Sequence, residues 1–237
     1  MDQVAAEIRA AIEAAATGQP KPERKFNKND EFVALGLNTS TWRAIMRSFR
    51  PRIKTLSLDE RLQLAEILFA QGEGWLGHSA IYVLAISAGD LGPEHFEGLD
   101  RMADAFTGWS HVDDVCISIL LAHREETLGL LERWNGSPNR WKRRASVVAF
   151  VRKIGGSGEF TDDALRLCDN LVHDPEDLVR KGVGWALKDV MRGDPDRVLA
   201  YVKDLRRRGV SAVITLYAIR DLKGRDREDI LAARAER

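Results

Sequence analysis

Helix-length apolar stripes follow one another along almost the whole sequence, most of them opened by a capping residue and closed by Gly or Pro, and nowhere do residues alternate with the period of a strand. Short connections between helices of about 10–16 residues make neighbouring helices antiparallel. Trp75, Trp109 and Trp141 recur at intervals of 34 and 32 residues, each at or near a helix start. That interval is the length of a helix pair. The pattern predicts an all-α chain, an α-α superhelix or solenoid of helical repeats with one concave face open to a partner.

Taken in order, an Ala- and Glu-rich helix spans 2–16 and ends at Gly18 and Pro20, before a charged loop over 18–31. Phe32-Val-Ala-Leu-Gly-Leu37 leads into the capping cluster Thr39-Ser-Thr41 and a helix over 41–50, which Pro51 is expected to stop. Ser57-Leu-Asp-Glu60 is a capping box opening a helix to residue 70. Further helices are predicted over 75–87, 93–106, 109–121, 124–134 and 138–153. Gly155, Gly156 and Gly158 read as a flexible joint, followed by helices over 161–172, 174–192, 194–207 and 211–221. The whole is expected to form one domain, 1–237, with 1–30 as an N-terminal helix and loop and 222–237 as a charged, fraying tail.

Lys plus Arg and Asp plus Glu balance at 36 each, so net charge points to no polyanionic partner and only the local distribution is informative. Cys116 and Cys168 sit among aliphatic residues and are expected to be buried thiols. There is no apolar signal segment and no run near the ~20 apolar residues of a membrane span. A soluble, cytoplasmic monomer is expected. Phosphate-loop, dinucleotide, zinc-protease and Cys-x-x-Cys motifs are absent. The five histidines lack metal-ligand spacing, so neither metal nor cofactor is expected; His78 receives no role and His111 is placed on a solvated helix face.

Three helices carry residues that their patterns do not explain. Over 109–121, Trp109, Val112, Val115, Cys116, Ile119 and Leu120 form the apolar stripe, and Asp113 falls at its edge, one turn from Trp109. A carboxylate there loses water and requires a partner or a task. Over 138–153, Arg144 lies in the middle of the stripe of Trp141, Val147, Val148 and Val151. Over 175–191, Trp185 points roughly 140° from the aliphatic stripe, on the side of Lys181 and Lys188. Asp113 and Arg144 suit either a structural ion pair or a site; Trp185 suits either packing against the next helix layer or an aromatic platform beside phosphate-seeking lysines. The basic runs Arg140-Trp-Lys-Arg-Arg144, Arg152-Lys153, Arg180-Lys181 and Arg206-Arg-Arg208 all fall in the second half, where they suit a basic, aromatic-lined groove.

Trp109-x-x-x-Asp113, Trp141-Lys-Arg-Arg144-Ala and Arg180-Lys-Gly-Val-Gly-Trp185-Ala-Leu, in this order, resemble the AlkD-like DNA alkylation repair glycosylases, which are built of HEAT-like helical repeats. The block from Phe32 to Leu37 is similar to that family's N-terminal block, and the resemblance spans about 30–220. It implies excision of cationic N3- and N7-alkylpurines from duplex DNA without extrusion of the base into a pocket, unlike most glycosylases. It implies Asp113 as the catalytic carboxylate and Trp109 and Trp185 as contacts to the lesion nucleotide. It implies Arg144 as support for the site and the DNA backbone, a role to which Arg143, Lys181 and Lys188 are added from the basic pattern. The alternatives are a non-catalytic helical-repeat protein binding damaged or branched DNA, and a protein-interaction scaffold.

Overall fold

The computed structural model describes residues 1–19, 21–22 and 32–233. Apart from a two-residue antiparallel pairing of β1 (Lys21–Pro22) with β2 (Val33–Ala34), the regular structure among these residues is helical, as the periodicity predicts. The chain forms two compact units, Met1–His123 and Arg124–Arg237.

The first unit contains α1 (Asp2–Ala15), α2 (Thr39–Thr55), α3 (Leu58–Phe69), α4 (Gly74–Ile86), α5 (Phe96–Ala103) and α6 (Trp109–Ser118). The face of α1 bearing Val4, Ile8 and Ile12 is buried against α2 and α3. Burial of such a side chain stabilises by about 1.5–3 kcal/mol. The capping box at Ser57 forms as expected, with Glu60 N donating to Ser57 Oγ and Ser57 N donating to Glu60 Oε2. Pro51 does not stop α2, which runs on to Thr55. Its missing N–H lies on the exposed side, and the next turn is retained because Ile53 is fully buried and Arg52 pairs with Glu7 of α1. The cap of α2 is Asn38, one residue earlier than Thr39, and its Oδ1 accepts from Thr41 N at 2.9 Å. The helix predicted from Pro93 begins as a 3₁₀ turn, Pro93–His95, and the one from Trp109 gives way to another, Leu120–His123.

The second unit contains α7 (Arg124–Asn135), α8 (Arg140–Val148), α9 (Lys153–Ser157), α10 (Thr161–Asn170), α11 (Asp177–Val190), α12 (Pro195–Arg207), α13 (Ala212–Ala218) and α14 (Gly224–Ala232). Helix α11 packs against α8, α9, α10, α12 and α13. Two glycines permit this. Gly182 faces Val148 and Arg144 of α8, and Gly184 faces Tyr217 and Ile214 of α13.

Two expectations for this half are corrected. The glycines after Lys153 are not a flexible joint: Gly155 is buried in α9, where an added Cβ would lie 2.8 Å from backbone atoms of Asp189 and Val190. Residues 224–232, expected to fray, do not; 234–237 lie outside the described residues. Residues 224–232 form α14, whose Ile230 is buried, and Leu231 O and the capping Ala233 O accept from the Arg206 guanidinium.

At Gly184 an added Cβ would lie 2.7 Å from Tyr217 Cβ and 2.9 Å from Ile214 O. Gly184→Ala is expected to lower unfolding free energy by about 1–3 kcal/mol through overpacking. Gly129→Ala, in open space on the exposed face of α7, is expected to raise it by up to about 1 kcal/mol. Urea midpoints of the two variants measure both effects.

Candidate functional site

The first unit owes its site to a close approach of α4 and α6. Gly77 lies against the His111 imidazole so tightly that an added Cβ would sit 2.5 Å from the ring. His111 is buried, not solvated as its helical phase suggested, because α6 is covered on that side by α4. Its Nε2 donates to Gly74 O at 3.0 Å, while Nδ1 is buried without a hydrogen-bond partner. Burial, reinforced by repulsion from a charged His78 and opposed by the hydrogen bond to Gly74, pushes its pKa down to about 3. His111 is therefore a neutral ring, stacked edge-on to Phe69 and His78.

With His111 turned inward, α6 presents Trp109, Ser110, Asp113 and Asp114 to a cleft of about 540 Å³. The opposite wall comes from α2, through Trp42 and Arg43, and from α4, through Trp75 and His78; Phe32 closes one end. The N-terminal segment is tied to α4 by Glu73, whose carboxylate accepts from Leu35 N at 2.8 Å and from Leu76 N at 2.9 Å. Both wall indoles have their polar edges satisfied by the protein. Trp42 Nε1 donates to Ser79 Oγ and Trp75 Nε1 to Leu35 O, each at 3.0 Å. Their ring centroids are 5.7 Å apart. What they offer a ligand is aromatic face, which attracts cations.

Asp113 is 8% exposed in this cleft, and Asp114 is half exposed, its Oδ2 2.9 Å from His78 Nδ1. The helical wheel separates the two carboxylates correctly. It misses His78, which a lone histidine in an apolar helix does not announce; the signal available was Gly74-Trp-Leu-Gly77, whose glycines mark one face of α4 as closely approached.

The other predicted residues lie in the second unit. Arg144 is buried in α8 and its Nη1 donates to Leu178 O at 2.6 Å. Arg143 grips the buried Asp174 through Nε at 2.6 Å and donates to Ser137 O and Pro138 O. Lys181 pairs with Asp177 one turn earlier. Lys188 is buried, 2.9 Å from Asp189 Oδ1 and 3.3 Å from Asp221 Oδ2. Trp185 is partly exposed and donates from Nε1 to Asp189 Oδ2 at 3.0 Å. Arg143, Lys181 and Lys188 thus each have a carboxylate partner, and the arginine runs are similarly paired: Arg140 with Glu176, Arg208 with Asp169.

Asp189 is a residue that pattern reasoning missed. It is buried, and its Oδ2 also accepts from Arg152 N at 2.8 Å. Arg152 has φ 58° and ψ −125°, a conformation that costs a non-glycine residue about 1–3 kcal/mol and persists only when surrounding contacts enforce it. One carboxylate therefore fixes both a strained turn and the edge of the Trp185 indole. Among the described residues no group of three His, Cys, Asp or Glu could hold a metal ion, and no helix is long and apolar enough to cross a membrane.

A family model described as DNA alkylation repair enzyme matches residues 8–222. The fold is similar to a predicted DNA alkylation repair enzyme from Enterococcus faecalis, at 16% identity and TM-score 0.70 over 94% of this chain and 96% of that one. It is also similar to the Pseudomonas fluorescens alkylpurine DNA glycosylase AlkC bound to DNA containing an abasic site analog, at 18% identity and TM-score 0.52 over 70% of this chain and 47% of that one. No curated protein sequence matches.

Burial of neutral His111 makes the first unit acid-sensitive. The unfolded chain takes up a proton below the ordinary histidine pKa of 6.5 and the folded chain only near 3, so stability present above pH 6.5 is lost as pH falls between these values. The expected slope from this group is about 1.4 kcal/mol per pH unit. Unfolding free energies of the wild type and of His111→Gln, measured from pH 7 to pH 4, should converge as pH falls.

Proposed function

Since this chain belongs to the DNA alkylation repair enzyme family, we propose that it is a monofunctional DNA glycosylase that hydrolyses the N-glycosidic bond of cationic N3- or N7-alkylated purines in duplex DNA, without extruding the base into a pocket. The observation that carries this reading is the placement of Asp113 and Trp109 together in an aromatic cleft with a second carboxylate, Asp114. An N-alkylated purine is already a cationic leaving group, so its departure needs no general acid. Positive charge then develops on the deoxyribose as an oxocarbenium ion. A fixed carboxylate with little access to water stabilises that charge far better than bulk solvent does, and Asp113 is such a group. The Trp109 ring adds cation–π attraction to the same charge. The match of the glycosylase AlkC from Pseudomonas fluorescens supports the reaction class.

In the second unit we assign DNA contacts to Trp185, Arg143, Arg144, Lys181 and Lys188. Trp185, partly exposed and held at its edge by Asp189, suits a stacking or sugar contact. The substrate is alkylated chromosomal DNA, which places the protein in the cytoplasm with the nucleoid.

Asp113→Asn should reduce release of 7-methylguanine from methylated duplex DNA by at least about 100-fold, the scale of losing one stabilising group in the transition state, with DNA affinity and its salt dependence retained. Base release counted by chromatography, alongside binding isotherms at several salt concentrations, makes the comparison. Salt-dependent binding with no release by the wild type would instead identify a non-catalytic DNA-binding protein.

A further inference from the structure

We propose that His78 and Asp114 form a base dyad beside Asp113, in which His78 Nε2 accepts the proton of the water attacking the sugar and Asp114 positions the imidazole. The inference rests on the glycosidic hydrolysis proposed above. It divides two tasks between two groups: Asp113 remains an anion facing the developing cation, and a separate base takes the proton.

The geometry of the first unit carries it. His78 and Asp114 both line the cleft that holds Asp113. His78 Nδ1 lies 2.9 Å from Asp114 Oδ2, so a carboxylate sits beside that nitrogen, and a neutral ring that carries its proton on Nδ1 leaves Nε2 as the acceptor. Among the described residues no protein group hydrogen-bonds Nε2, and it is not among the buried atoms that lack a partner. The ring is held on its other sides by aromatic faces: Trp75 at 5.8 Å, Phe32 and Trp42 at 6.0 Å, and His111 at 4.7 Å between centroids. None of these occupies its nitrogens. An imidazole in a cleft, with a carboxylate beside one nitrogen and no protein partner on the other, suits a general base.

The ionisable groups around His78 are few. Helix α6 presents Asp114, Asp113 and neutral His111, and α2 presents Arg43. Helix α3 and the turn at Ala88–Asp90 contribute no residue to the cleft, Arg61 and Asp90 pairing with each other at 3.4 Å. β2 brings only Ala34 to the cleft, and Glu73, before α4, is engaged as its cap. The step balances without a co-reactant. The C1′–N bond breaks and its electron pair neutralises the alkylated purine. A water oxygen bonds to C1′, its proton passes to His78 Nε2, and the imidazolium, paired with Asp114, returns it to solvent.

Single-turnover release of 7-methylguanine from methylated duplex, measured from pH 5 to pH 9, tests the dyad. The wild type should lose rate on the acid side as the base becomes protonated. His78→Gln should fall by about 100-fold and lose that acid limb, with DNA affinity unchanged. His78→Ala should regain rate on addition of free imidazole. Asp114→Asn, at a half-exposed position that does not threaten the fold, should fall by about 10-fold with DNA affinity unchanged. A His78→Gln enzyme with the wild-type rate, or a slow one whose acid limb persists and whose alanine counterpart ignores imidazole, overturns the dyad while leaving the glycosylase reading standing. A wild type that releases no base overturns both.

Discussion

The hydrogen bond from His111 Nε2 to Gly74 O is the contact on which the first unit's cleft depends. It joins α4 to α6 where water does not reach, and only a glycine at position 77 allows the imidazole so close. A helix has one rotational freedom about its own axis, and turning His111 inward uses it. Asp113 and Trp109 then face the cleft, and Asp114 falls one step further round, beside His78. The neutral state of His111 belongs to the same arrangement, since a carbonyl takes one proton from the ring and nothing takes a second.

The second unit is ordered around a buried carboxylate instead. From the last turn of α11, Asp189 accepts from the backbone of Arg152 before α9 and from the indole of Trp185, and lies against the ammonium of Lys188. A charge in that position is tolerated because donors surround it. Its removal would free a strained turn, an aromatic edge and a buried cation together. Both units therefore rely on a polar group that would be costly alone and that fixes an aromatic residue of interest.

Much of this was legible in the sequence. Capping chemistry located α3 at Ser57 and α13 at Ser211, and the stripe analysis put Asp113 and Arg144 in buried positions. The failures have separate causes. A helical wheel assumes a single wet side, yet a helix within a layered stack is covered on two, so His111 looked solvated and is not. Pro51 and the C-terminal segment were misjudged because local propensity was allowed to decide, whereas Ile53 and Ile230 had cores to enter. Trp185 was rightly set apart from its aliphatic stripe, but its partner Asp189 is invisible to wheels and motifs alike, because its meaning comes from Arg152, 37 residues away.

The aromatic cleft of the first unit also has a sign. Among the described residues its walls carry Asp113 and Asp114 against the guanidinium of Arg43. A wall of this kind is a poorer seat for a phosphate group than for a cation. Discrimination by charge of this kind would need no donor or acceptor pattern with which to spell out a base.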